Sequence, residues 1–376
     1  MSFLIIMLII SVSRDKIYAE VMTMDKLWKM NLRDIDPYVP GEQSKDKNIV
    51  KLNANENPYP PSPKAIEAIN SFNCDGLRLY PDANASAFKQ AMAEYYNVQP
   101  QNVFLGNGSD DVLALCFQAF FNSDKSIVFP DITYSFYPVW CRLFNIPFKN
   151  YPLNDDFRIN VDDYAEENGG VVIPNPNAPT SLGEGKDFIE KLMKYNQDCI
   201  VIIDEAYVDF GCYSGVELTK KYENLIITGT FSKSRSLAGL RIGYAIGNKE
   251  LIAVLEAVKN SYNSYTVDSV SMAAGTASIK DKKYFEETVS KVITTRESVI
   301  KELRALGFTA LDSQTNFIFA THDSMNMRDY FEWLKTQKVF IRYFNLPRID
   351  NHVRITVGTD EEMDIFLKKT KEYLNK

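Results

Sequence analysis

With 376 residues, of which 45% are hydrophobic and 24% charged, the chain can bury a large core divided between two lobes, and nothing in its composition suggests disorder. A formal net charge of -7 without a lysine/arginine cluster argues against a nucleic-acid partner and for a small metabolite. The cysteines (Cys74, Cys116, Cys141, Cys199 and Cys212) lack metal or redox spacing, and only His322 and His352 are present, which disfavours histidine-based metal sites and triads and suits reduced thiols in the cytoplasm.

In chain order, the apolar run Phe3 to Ile10 has the length of a signal core. No positive residue precedes it, Ile17-Tyr18-Ala19 is a poor cleavage site, and the run is too short to span a bilayer. Residues 1–23 therefore read as an extension from a mis-assigned start, with an export signal as the alternative. Residues 24–55 read as an arm, irregular and proline-punctuated from Leu32 to Gly41. A large domain is expected over 56–264 and a smaller one over 265–376.

Pro63 suits the first turn of a helix over 64–71, and Tyr80-Pro81-Asp82 leads into a helix over 85–96. The strand at Val103 to Leu105 passes through Gly106-Asn107-Gly108-Ser109-Asp110 into a helix over 112–121. Free backbone N–H groups at that helix start suit a phosphate, although Ser109 or Asp110 can equally cap the helix. A strand over 126–129 is followed by Tyr134, whose ring can cover one face of a flat cofactor, and by Tyr137, which reads as structural. The strand over 170–174 ends in the rigid turn Asn175-Pro176-Asn177-Ala178-Pro179-Thr180.

Two apolar runs then end in charged tips. Cys199 to Ile203 stops at Asp204, and Leu225 to Gly229 opens into Thr230-Phe231-Ser232-Lys233, with another strand expected over 241–246. Between Asp204 and Lys233 the spacing leaves room for a strand, a helix and a return strand. Open α/β sheets bind ligands at such strand ends. A lone lysine is ordinarily a solvated surface group, but at a strand mouth it can lose hydration and become an amine able to attack a carbonyl. A strand-tip lysine, a strand-tip aspartate and a helix-start phosphate cradle together suit an aldehyde cofactor that carries a pyridinium nitrogen and a phosphate. A carboxylate about 4 Å from that nitrogen contributes roughly 4 kcal/mol at an effective dielectric near 20.

A helix over 251–264 leaves the large lobe. Beyond it, a helix is expected over 282–306, strands over 316–320 and 339–343, and an amphipathic helix over 328–334 whose Trp333 reads as core. Arg342 and Arg354 fall on apolar strands, where each guanidinium needs an anion, either a protein carboxylate or a substrate.

The motifs Leu52-Asn53-Ala54-Asn55-Glu56-Asn57-Pro58, Tyr80-Pro81-Asp82, Asp204-Glu205-Ala206-Tyr207, Ser232-Lys233 and Val353-Arg354-Ile355-Thr356-Val357-Gly358-Thr359, in this order, resemble those of the fold-type-I aminotransferases and, more narrowly, of the histidinol-phosphate aminotransferase family. The resemblance covers nearly everything from Asn31 onward. It implies an α/β fold, with a mostly parallel seven-stranded sheet between helices in the large lobe and a smaller α/β lobe after it. It also implies pyridoxal 5'-phosphate as cofactor and a homodimer without nucleic-acid or membrane partners. Lys233, Asp204 and Tyr207 would be catalytic. Ser109, Asp110, Ser232 and Arg241 would hold the cofactor phosphate, Tyr134 its ring, and Tyr80 the phosphate in the neighbouring subunit. Tyr38, Asn55, Arg342 and Arg354 would contact substrate. The family's asparagine before Pro-Thr-Gly, which bonds the cofactor phenolic oxygen, is replaced here by Ala178, and its glycine by Ser181; Asn177 or Tyr207 then becomes the candidate for that bond. The implied reaction converts imidazole-acetol phosphate and glutamate to histidinol phosphate and 2-oxoglutarate. A threonine-phosphate decarboxylase-like lyase and an aromatic aminotransferase are the alternatives.

Overall fold

Short runs of β-branched and aromatic residues form the sheet that positions the site. In the computed structural model, which describes Trp28, 31–33, 35–38, Asp46 and 48–376, seven strands pair into one sheet: β1 (Val103–Gly106), β2 (Ile127–Pro130), β3 (Phe148–Tyr151), β4 (Gly170–Pro174), β5 (Val201–Asp204), β6 (Leu225–Thr230) and β7 (Gly243–Gly247). Their order is β1-β7-β6-β5-β4-β2-β3, parallel throughout except for β7, which runs antiparallel to β1 and β6. The expected extension over 1–23 lies outside the described residues, as does part of the arm over 24–55.

Apart from the edge strand β3, the strands are apolar on both faces because helices cover both. Val201 and Ile203 of β5 face a core with Phe88, Met92, Ile189, Leu192 and Ile279. Ile202, between them, faces the opposite core with Leu113, Phe117, Trp140 and Leu255. Truncating one such fully buried side chain to alanine costs about 2–5 kcal/mol. This double cover forces the strand ends, rather than the strand faces, to carry the polar groups.

A second sheet, entirely antiparallel, comprises β8 (Thr309–Ala310), β9 (Phe317–Thr321), β10 (Arg342–Tyr343) and β11 (Val353–Thr356) in the order β10-β11-β9-β8. It has its own core, in which Ile318, Val353 and Ile355 meet Leu303, Tyr330 and Phe366. The single strand expected over 339–343 is in fact two. Val339 and Phe340 pair parallel with Val50 and Lys51, while Arg342 and Tyr343 pair with Arg354 and Val353, so the chain changes sheets at Ile341. The link from β5 to β6 also differs from expectation. It consists of the short 3-10 turns Val208–Phe210 and Gly215–Lys220 rather than an α-helix.

Candidate active site

A cavity of about 250 Å³ opens at the C-terminal ends of β4, β5 and β6, closed on its other side by β10, β11 and the segment 53–55. Asp204 ends β5 and is 5% exposed. Tyr137, the first residue of a helix, donates its hydroxyl to Asp204 Oδ2 at 2.8 Å, and Thr228, beside Asp204 in the parallel register, donates to Oδ1 at 3.4 Å. Burial pushes the Asp204 carboxyl up to about 6, against the lowering effect of the Tyr137 hydrogen bond. A cation in the cavity would favour its ionised form.

Lys233 sits just past β6, with Nζ 3.4 Å from the Ala54 carbonyl oxygen and 5.6 Å from the centre of the Tyr207 ring. Asn57 donates its side-chain amide to the Lys233 carbonyl at 3.0 Å, fixing the backbone that carries the amine. The Tyr207 hydroxyl accepts a hydrogen bond from the Asn55 amide at 2.9 Å. Asn55 is itself held by Thr356 of β11, whose hydroxyl accepts from its N–H at 3.0 Å and donates to its Oδ1 at 3.1 Å. Segment 53–57 thereby ties the second sheet to both Lys233 and Tyr207.

The loop after β1 enters the helix Ser109–Phe120 without a side-chain cap, so the first-turn N–H groups stay open to a ligand. Gly108 has φ +87°, and a Cβ there would lie 2.5 Å from Arg241 Nη2; a Cβ on Gly243 would meet the Gly108 backbone at 2.3 Å. Only glycines allow this approach. Arg241 Nη2 reaches Asp110 Oδ2 at 3.3 Å, and Tyr134 donates to Asp110 Oδ1 at 2.7 Å. Ser109, Asp110, Tyr134, Ser232 and Arg241 all line the cavity.

On the opposite wall stand Tyr38, Arg342, Phe344 and Arg354. Tyr38 stacks on Phe136 with ring centres 4.3 Å apart. Arg354 Nη2 donates to the Asn53 carbonyl at 3.1 Å, its Nε is buried without a partner, and its guanidinium lies 5.3 Å from the Phe317 ring and 5.6 Å from that of Phe344. Burial lowers its pKa, and Arg342 nearby lowers it further. Among the described residues, no carboxylate forms an ion pair with either arginine.

One expected residue does not reach this cavity. Asn177 donates its amide to the Ile132 carbonyl at 2.9 Å and to the Thr180 hydroxyl at 3.0 Å, and Ala178 lines the cavity in its stead. Its Oδ1, buried without a partner, can only accept, whereas Tyr207 lines the cavity. Tyr80 is 82% exposed and stacks on Tyr265 at 4.6 Å, outside its own chain's cavity. Conversely, Tyr137, expected to be structural, holds Asp204; its position three residues after Tyr134, at a helix start, is the available signal. Thr228 and Phe344 carried no such signal.

The family profile described as aminotransferase class I and II matches residues 47–369. The chain belongs to the class I and II aminotransferases. Over 340 residues it is 54% identical to the histidinol-phosphate aminotransferase of Acinetobacter baumannii strain SDF, covering 90% of this chain and 94% of that protein. Over 353 residues it is 50% identical to the histidinol-phosphate aminotransferase of Clostridium botulinum strain Okra, covering 94% and 100% respectively. The solved histidinol-phosphate aminotransferase of Clostridium acetobutylicum superposes with a TM-score of 0.80 at 23% identity, covering 86% of this chain and 98% of that one, and shows the same fold.

The aminotransferase uses pyridoxal 5'-phosphate as its cofactor. Its residues fit that group. The uncapped helix start and Arg241 suit a phosphate, the buried Asp204 suits a protonated ring nitrogen, and the amine of Lys233 faces the same space as both.

Proposed function

We propose that the aminotransferase transfers the amino group of L-glutamate to imidazole-acetol phosphate, giving 2-oxoglutarate and L-histidinol phosphate, a step of histidine biosynthesis. The observation that carries this reading is the pair of cavity-lining arginines, Arg342 and Arg354, which have no carboxylate partner among the described residues. Half-buried guanidinium groups beside aromatic rings and without an anion carry a desolvation cost that an anionic ligand offsets. A planar fork accepts the phosphate of one substrate or a carboxylate of the other equally well. The name shared by the relatives at 54% and 50% identity supports the same substrates.

When bound, pyridoxal phosphate supplies an electron-withdrawing ring that acidifies the substrate Cα–H. In our reading Asp204 keeps the ring nitrogen protonated, and Tyr137 and Thr228 keep Asp204 in place. Lys233 holds the cofactor and then carries the proton at Cα as general base and acid. Tyr207, oriented by Asn55, donates to the phenolic oxygen. Ser109, Asp110, Ser232 and Arg241 would hold the cofactor phosphate, and Tyr134 would lie beside the ring. Tyr38 and Asn55 shape the substrate end beside Arg342 and Arg354.

We further propose a cytoplasmic homodimer. Leu77, Leu79, Tyr80, Tyr262 and Tyr265 are all exposed, an apolar set that a second copy would cover, with Tyr80 then serving the partner's cofactor phosphate. No helix among the described residues is long and apolar enough to cross a membrane.

The test is to mix cofactor-loaded protein with single amines and follow its near-visible absorbance. Loss of that absorbance with glutamate and with histidinol phosphate is the expected result. A response to aromatic amino acids alone, or carbon dioxide release from threonine phosphate, would overturn the substrate assignment.

A further inference from the structure

The segment after β10 does two things at once. Phe344 lines the cavity, its ring centre 5.7 Å from the Arg342 guanidinium carbon and 5.6 Å from that of Arg354. Four residues later, Arg348 reaches the seven-stranded side. Its Nη1 donates to Asp131 Oδ2 at 3.0 Å, and its Nη2 donates to the carbonyls of Leu153 at 2.7 Å and Asn154 at 3.0 Å. Asp131 directly follows β2, and its Oδ1 accepts the backbone N–H groups of Ile132 at 2.8 Å and Leu153 at 2.9 Å. The next two residues after Ile132, Thr133 and Tyr134, are cavity wall.

Apolar contacts reinforce the polar ones. Ile349 packs with Ile132, Leu153 and Phe319, and Phe344 and Phe157 lie against that cluster. Arg348 has φ +70° and Phe157 φ +60°, left-handed conformations that larger side chains disfavour and that persist only where surrounding contacts hold them. The strain at Arg348 coincides with the three-bonded fork.

We propose that Arg348 is a positioning residue for substrate: its fork clamps the loop carrying Phe344 onto the segment carrying Thr133 and Tyr134, and so fixes Arg342 and Arg354 at their distance from the cofactor side. The inference rests on the aminotransferase reading of this cavity. Lysine has no planar fork and cannot reproduce all three bonds. Opening the clamp would widen the space between the arginines and the reacting groups, which weakens an anion bridging the two walls. The cofactor side keeps its own ties when the clamp opens, because Tyr134 stays bonded to Asp110 of the cradle at 2.7 Å.

The test uses the cofactor-loaded enzyme with Arg348→Gly, which tolerates φ +70° and so removes the fork without adding strain, and with Arg348→Lys as the conservative variant. The concentrations of glutamate and histidinol phosphate that half-convert the near-visible absorbance are compared with the cofactor dissociation constant and the melting temperature. Loss of a charge-assisted fork should raise both half-saturating concentrations about tenfold in Arg348→Gly, with partial recovery in Arg348→Lys and cofactor affinity within about twofold of wild type. Unchanged half-saturation overturns the proposal. So does a matched loss of cofactor affinity, substrate affinity and melting temperature, the pattern of a purely structural contact. If wild type responds to a different amine, the substrate reading fails on its own; a tenfold rise for that amine still supports the clamp, and no rise overturns it.

Discussion

The two walls of the cavity differ in how their charges are balanced. On the seven-stranded side Asp204 already takes hydrogen bonds from Tyr137 and Thr228, and Arg241 already pairs with Asp110. On the four-stranded side Arg342 and Arg354 face the cavity with aromatic rings beside them and, among the described residues, no carboxylate partner. A resident cofactor needs a platform that is in order before it binds, because reorganisation would cost affinity. Two alternating substrates are better served by a wall whose charge is completed only by whichever anion arrives. One side of the cleft is built to hold and the other to exchange.

The sharpest way to break this picture is Lys233→Ala. The account expects kcat to fall at least about a thousandfold in a steady-state assay, because the proton at Cα loses its carrier. Full turnover by this variant would remove the assignment. A smaller effect is expected from Tyr137→Phe, which deletes one donor to the buried Asp204. Since that hydrogen bond favours the charged carboxylate, its loss should raise the Asp204 pKa and move the acid limb of the kcat/KM profile to higher pH by roughly one unit. An unmoved limb would mean that Tyr137 only fills space.

The smallest effect on turnover concerns His352, which stacks on Phe319 at 4.5 Å behind the substrate wall and whose pKa burial pulls down from 6.5 to about 4. Asp350, also on its loop, acts in the opposite direction. The unfolded chain binds the proton more readily than the folded one, so stability is fully present above pH 6.5 and declines as pH falls toward 4, by about 3 kcal/mol at most. Denaturant melts of wild type and His352→Phe across that window should differ in slope, the variant being flatter. Parallel curves would contradict the assignment.

Much of the cofactor wall was legible in the sequence, because a doubly covered parallel sheet forces polar residues to the strand ends. Asp204 and Lys233 stand out as the first charges after apolar runs, and the two glycines around Asn107 mark the phosphate cradle. The rest depended on contacts between distant segments. Thr228 matters because β5 and β6 pair in register, and Arg348 because its loop crosses to Asp131. Neither position has a local pattern to mark it. Strand β3 has no clear signal because Lys149 and Asn150 interrupt its apolar pattern at the sheet edge, and the break at Ile341 is invisible in a run from Val339 to Phe344 that only Arg342 interrupts and that reads as one strand. Asn177 illustrates a third limit: a turn residue one place from the expected position points into the protein, while Ala178 faces the cavity.

The comparison between the walls is tested most directly by measuring half-saturation with histidinol phosphate and with histidinol, which lacks the phosphate, in wild type and in an Arg342→Ala, Arg354→Ala double variant. The account predicts that removing the phosphate raises the half-saturating concentration about a hundredfold in wild type and only about twofold in the variant, since the charge-assisted forks are then already gone. An equal penalty in both proteins would show that the phosphate is bound elsewhere and would contradict the assignment of the exchanging wall.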